Sequence, residues 1–389
     1  MNKFLVLVLM LVTAQANATR ARVNSLGNSP HIIDVQRIYT NPSDMFSQGD
    51  FFTLESGSTT PTTMPDCYPT IPTNQPCGLK NTNAEAMVVR SFGDAKVAFS
   101  IGHLSDNAAG YANGLRTQTQ TTIAGPDANL SYQQNPIELS YGRKSGDLAW
   151  AGTVVYSNYK DKQNNREENS SGIRLGARMG AWDFSLGQGI ASKVTSGTTI
   201  EYKAKSNTGL FAGYTMDNNY FFGEVRMVGS EENKSTARPE FKAQVYRLGV
   251  VNSMKNEGNE YFVGASLVSV KQELAVTAGD FENTQMQLPI IIGVEADAAS
   301  WLTLRGSLIQ TVLINKAKVQ FFDSTAITSA ANLAEFDDAA NSTVAAIGAG
   351  LKFDKLTLDG NFSGLTGPVA GQTLNGNNFL TQIGLTYMF

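Results

Sequence analysis

Arginines and carboxylates recur at alternate positions within otherwise apolar stretches of this chain. In "SGIRLGARMG", Arg174 and Arg178 share one side of the alternation, and Ile173, Leu175, Ala177 and Met179 share the other. Arg226, Arg247 and Arg305 stand in the charged phase of their own stretches, as do Glu138, Asp183, Glu224, Glu295 and Asp359. An extended chain points successive side chains to opposite faces, so one face is apolar and the other carries both signs of charge. Ionised groups are costly toward lipid and must meet water or each other. A wet interior that sets basic against acidic groups would sort small polar solutes by its transverse field. A narrower interior laced with ion pairs would serve structure alone. In the wet arrangement Arg174 and Arg178 lead the basic candidates, followed by Arg226, Arg247 and Arg305, with Glu224 and Glu295 as acidic counterparts.

Other chemistry is sparse. The chain has two histidines, His31 and His103. His103, Ser105 and Asp106 cluster in "GHLSDN", but as sequence neighbours at a loop mouth with no nucleophile motif, so a polar loop is expected and no catalysis. Gly187 and Gly189 lie in a strand with no helix after it, so no phosphate cradle is implied. The acidic stretch "NNREENSS" (164–171) has the composition to bridge divalent cations, yet reads as a solvated loop. No metal site and no cofactor are expected. The net charge of -4 argues against nucleic acid as a partner.

The elements that must position these residues are strands. Apolar residues alternate in segments of roughly ten residues bounded by turn chemistry. Leu302, Leu304 and Leu308 oppose Thr303, Arg305 and Ser307, and Leu356, Leu358 and Phe362 oppose Thr357, Asp359, Asn361 and Ser363. A soluble sandwich would alternate too. Strands of roughly 10–12 residues are long for a globular sheet but suit a tilted membrane crossing. Tyr141, Trp150, Tyr156, Trp182, Tyr214, Tyr220, Tyr261, Trp301 and Tyr387 gather near strand ends, where an aromatic girdle would sit. Connections alternate short (143–146, 180–181, 216–219, 297–300, 353–355) and long (105–134, 159–171, 230–240, 274–284, 315–341, 365–377). The expectation is therefore an all-β, antiparallel, up-and-down transmembrane barrel. Its strands are expected at 47–55, 84–91, 95–104, 135–142, 147–158, 171–179, 181–191, 198–216, 219–229, 241–253, 258–273, 285–297, 300–314, 342–353, 355–364 and 378–389. That is about sixteen, or fourteen without the first pair.

Ahead of the barrel (47–389), residues 1–18 read as a secretory signal, with Lys3, an apolar core and Ala16-x-Ala18. Residues 19–46 are expected to hold a short helix around "HIIDVQRIYT", inside the barrel or under its mouth, with a loose tail as the alternative. Cys67 and Cys77 are expected to form a disulfide in a proline-rich surface loop. The stretch 326–341 reads as a short helix that could fold into a pore.

The final stretch, "FLTQIGLTYMF", resembles the C-terminal signal of Gram-negative outer-membrane barrels, through Phe389, Tyr387, Leu385 and Ile383. That resemblance implies the barrel-assembly machinery as a partner, an outer-membrane location, and contact with lipid and lipopolysaccharide. The strand count is that of porins, which implies passive diffusion of small hydrophilic solutes and allows a homotrimer. "NPSDMF" resembles the Asn-Pro-Ala box that ends the N-terminal hatch of the long-chain fatty-acid transporter family, with Asn41 and Pro42 matching and Ser43 in place of Ala. It implies a hatch-gated transporter of hydrophobic compounds, although that family has fourteen strands. A closed structural or adhesive barrel is a third expectation.

Overall fold

The computed structural model describes residues 19–57, 84–103, 136–162, 165–196, 200–232, 240–256, 258–276, 279–314, 318–321, 342–366 and 382–389. The signal segment, Cys67, Cys77, Ser105, Asp106 and the 326–341 stretch lie outside the described residues. In chain order the strands are β1 (Phe51–Gly57), β2 (Ala84–Phe92), β3 (Ala95–Ile101), β4 (Ile137–Ser145), β5 (Leu148–Asp161), β6 (Arg166–Met179), β7 (Trp182–Ser196), β8 (Ile200–Met216) and β9 (Asn219–Glu232). They continue as β10 (Glu240–Asn256), β11 (Asn259–Val276), β12 (Gly279–Ala299), β13 (Leu302–Leu313), β14 (Lys318–Phe321), β15 (Ser342–Phe353), β16 (Leu356–Thr366) and β17 (Gln382–Met388).

Sequential strands pair antiparallel, and β1 bonds both β2 and β17, so the sheet closes on itself. At the seam Leu54 stands opposite Leu385 on one side and Ala86 on the other. β13 and β14 pair in succession along β12, with Leu313 opposite Gln287 and Lys318 opposite Thr284. They are one interrupted stave, and the barrel has sixteen, the first pair included. Full closure leaves no unpaired edge, which is what lets strands cross a bilayer.

Two-residue turns join the staves at one end. Glycines at positive φ (Gly93, Gly146, Gly180) supply the left-handed conformation there, and Asp217 and Asp354 adopt it in two others. At the same end the exterior carries Tyr141, Trp150, Trp182, Tyr261, Trp301, Phe353, Tyr387 and Phe389, all exposed. Trp182 packs on Tyr214, with ring centroids 4.4 Å apart. Between the barrel's ends the outer face is aliphatic, with Leu175, Leu248, Ile292, Leu304 and Ile347 about half to two-thirds exposed. An apolar exterior with an aromatic belt is the surface a bilayer requires. The protein is a multi-pass transmembrane β-barrel.

The structure corrects several expectations. Tyr220 does not belong to the girdle. It is buried on the inner face with Phe222, while Phe221 points out. The long connections 159–171, 230–240 and 274–284 are shorter than expected, because β5, β6, β9, β10, β11 and β12 run on past the apolar belt. Polar cross-strand pairs, such as Lys160 with Glu167 and Lys205 with Glu231 at 2.8 Å, carry the ladders there. The helix expected around Ile32–Ile38 is not α-helical. The α-helix, α1, lies earlier, over Arg20–Ser25, and Val35–Tyr39 is a single 3-10 turn.

Candidate functional site

The interior at the short-turn end holds residues 19–48. Local chemistry fixes their path. Asp34 caps the Val35–Tyr39 turn by accepting from the N–H groups of Gln36 and Arg37, at 2.9 and 3.1 Å. Asn41 caps a second 3-10 turn, Pro42–Ser47, accepting from Ser43 N–H and Ser43 Oγ, with Pro42 at its first position. This turn lies against β6. A Cβ on Gly176 would come within 2.1 Å of Asn41 Oδ1, so the wall is hollowed at that point to admit the cap.

Apolar residues of the segment complete two buried clusters with the wall. Val35, Ile38, Tyr39 and Met45 pack with Phe51, Met87, Val89, Ala98 and Ala151. Leu26 and Ile32 pack with Tyr220, Phe222, Val251 and Phe262. Fully burying each aliphatic side chain removes it from water at a gain of about 1.5–3 kcal/mol.

Ion pairs ring these clusters. Arg20 Nη2 bonds Glu85 at 2.5 Å, and its backbone N–H donates to Glu55 at 2.7 Å. Arg22 reaches both oxygens of Glu295, at 2.6 and 2.8 Å. His31 Nε2 contacts Glu260 at 2.9 Å. Arg37 hydrogen-bonds Asp183 at 2.8 Å, forms an ion pair with the segment's own Asp44 at 2.9 Å, and lies over the rings of Phe211 and Tyr220. Tyr39 stacks on His103 with centroids 3.5 Å apart. The segment therefore touches the wall around most of its circumference.

Most of the charged residues expected from sequence face this segment or each other. Arg174, 1% exposed, bonds Glu138 and the carbonyl of Tyr39. Arg178 forms an ion pair with Asp44 at 2.7 Å and faces Asp183 at 3.8 Å. Arg305 bridges Glu295 and Asp359, at 2.5 and 2.6 Å, and Asp359 accepts from Thr19 Oγ1 at 3.1 Å. Arg226 pairs with Glu224 on its own strand. Arg247 donates to Ser266 at 3.1 Å and lies over the Phe222 ring. At the C terminus Ile383, Tyr387 and Phe389 are exposed on the outer face, and Phe389 N–H donates to Asp50 O at 3.1 Å, tying the chain end to the start of β1.

Burial perturbs the segment's own acids. Asp34 is pushed up to about 7 by burial, partly offset by Arg22, two backbone N–H groups and Arg37. Its Oδ2 has no hydrogen-bond partner among the described residues, which suits a protonated carboxyl. Burial also raises Asp44, against the pull of Arg37 and Arg178. Both acids are buried away from bulk solvent.

Sequence reasoning missed Arg20, Arg22, Arg37 and Asp44 on the segment, and Glu55, Glu85 and Glu260 on the wall. The signal was present in part: "TRARVNS" places two arginines on a segment already suspected of entering a charged barrel. His103, weighed only beside Ser105 and Asp106, instead contacts Glu85 at 2.9 Å.

No family model matches the chain and no curated protein matches its sequence. Among solved structures it is similar to the monoaromatic hydrocarbon channel CymD, at 8% identity and TM-score 0.40, covering 95% of this chain and 97% of that one. It is similar to the toluene transporter TodX of Pseudomonas putida, at 11% identity and TM-score 0.36, covering 95% and 96%. It also resembles CdiB from Acinetobacter baumannii, at 8% identity and TM-score 0.40, covering 87% of this chain but spanning only 59% of that chain's length. Likenesses this distant carry no argument about function, which rests on the chain's own geometry.

Proposed function

We propose that the protein is an outer-membrane transport channel for small polar solutes, closed by its own residues 19–48 acting as a hatch. One observation carries this reading. Besides its apolar contacts, the segment meets the wall through ion pairs to several strands, among them Arg20–Glu85, Arg22–Glu295, Arg37–Asp183 and Asp44–Arg178. A sixteen-stranded barrel is wide enough to conduct once its lumen is cleared. Its inner face would then be charged and wetted, as polar cargo needs. Arg174 and Arg178 are the residues a passing solute would meet once the hatch leaves. A second reading, passage of hydrophobic compounds, draws on the inward aromatics Phe211, Tyr220, Phe222 and Phe262 behind Leu26 and Ile32.

Proteoliposome uptake separates the two. Liposomes carrying protein without residues 19–48 should swell in small sugars, whereas those with the full chain should not. Entry of a hydrophobic dye but no sugar would put the second reading first. Uptake of neither by the shortened, folded barrel would refute both.

A further inference from the structure

Glu55 and Glu85 stand directly opposite each other on β1 and β2. Both point inward and both are buried, at 5% and 3% exposed. Like charges facing across a ladder repel, and desolvation makes an uncompensated buried charge worse. Elsewhere on the wall each carboxylate that meets the segment also has a basic wall residue near it. Glu295 has Arg305 at 2.5 Å, Asp183 has Arg178 at 3.8 Å, and Glu260 has Lys255 at 3.5 Å. Among the described residues no wall lysine or arginine pairs with Glu55 or Glu85. Their wall neighbour is His103, whose Nδ1 lies 2.9 Å from Glu85. The compensating groups come from the segment. Arg20 places its guanidinium on Glu85 and its N–H on Glu55, and Gln36 Nε2 donates to both, at 2.6 and 2.8 Å.

We propose that Glu55, Glu85 and His103 form a receptor site for an organic cation with a guanidinium or primary ammonium head, and that Arg20 occupies it as a tethered stand-in. Two carboxylates one strand apart, lined up to accept several N–H bonds, fit a flat multi-donor cation. A metal ion fits less well, because no three His, Asp or Glu side chains among the described residues gather closely enough to hold one. A free cation at the site competes with Arg20, so cargo or effector of this class loosens the hatch. The role of Arg20 as an occupant to be displaced rests on the hatch reading; the binding chemistry does not.

The test is chemical rescue in the full chain. Arg20→Ala vacates the site, and methylguanidinium chloride is the probe, with sodium chloride and methylurea (the neutral isostere) as controls. A saturable rise in melting temperature is expected with methylguanidinium alone, and none in Arg20→Ala/Glu85→Gln. Arg20→Gln serves if Arg20→Ala yields no folded barrel. Absence of a response, or an equal response in the Glu85→Gln background, overturns the proposal. The hatch reading fails by a different result, equal current with and without residues 19–48, so the two failures are distinguishable.

Discussion

Gly176→Ala should loosen the segment without disturbing the barrel. Gly176 faces inward on β6, and its missing Cβ is where Asn41 and Pro42 sit. An added methyl would lie 2.1 Å from Asn41 Oδ1 and 2.9 Å from both Pro42 Cδ and Ser43 N. Two of these atoms belong to a proline ring and a backbone amide, so a rotamer change does not relieve the overlap. Overpacking of this kind costs about 1–3 kcal/mol. Set against the docked state alone, that raises the undocked population roughly 5- to 150-fold. The assay is limited trypsin digestion of the barrel in detergent or liposomes, scoring cleavage after Arg37. Trypsin reaches that bond only in undocked molecules, so the cleavage rate tracks their population. Gly306→Ala is the control, since its added Cβ would have ordinary contacts of 3.7 Å. Equal cleavage of Gly176→Ala, Gly306→Ala and wild type would refute the placement of the Asn41–Pro42 turn against β6.

Further outcomes follow from the same contacts. The docked Asp34 carboxyl sits near 7, above its ordinary value, so docking is strongest below about pH 4 and weakens by about 1.4 kcal/mol per unit until about pH 7. Trypsin cleavage should rise from pH 5 to pH 8, relative to an unstructured peptide control, and Asp34→Asn should flatten that rise. Arg174→Met strands buried Glu138 and should cost about 3–5 kcal/mol in a urea-unfolding series, with Arg174→Met/Glu138→Gln recovering much of the loss. Leu248→Arg, on an outer side chain 68% exposed, should cost about 2–4 kcal/mol in lipid if it faces the bilayer's middle, and far less if the site is wet.

Most of the barrel could be read from side-chain phase, because one row of every stave must meet lipid. Within the 198–216 stretch, Ile200–Met216 forms the single strand β8 for that reason, with Leu210, Ala212, Tyr214 and Met216 sharing a row. Where alternation fails, so does the reading. "YFF" at 220–222 is aromatic at every position, so phase could not assign Tyr220 to the inside; its hydroxyl bonds Asp183 at 2.9 Å. The polar strand ends beyond the belt carry no apolar row and read as loops. In the segment, the Asp34 cap and Pro42 hold Val35–Tyr39 to one short turn. Ile32 goes to one cluster and Ile38 to the other, so the two do not share one helical face. The Arg20, Arg22 and Arg37 contacts join positions far apart in sequence, and no spacing rule encodes them.

The most direct measurement is single-channel current in a planar bilayer, comparing the full chain with the chain lacking residues 19–48. The account predicts silence or rare brief openings from the full chain and steady nanosiemens-scale steps from the shortened one. Equal steady currents from both would contradict it, because residues 19–48 would then not be what closes the lumen.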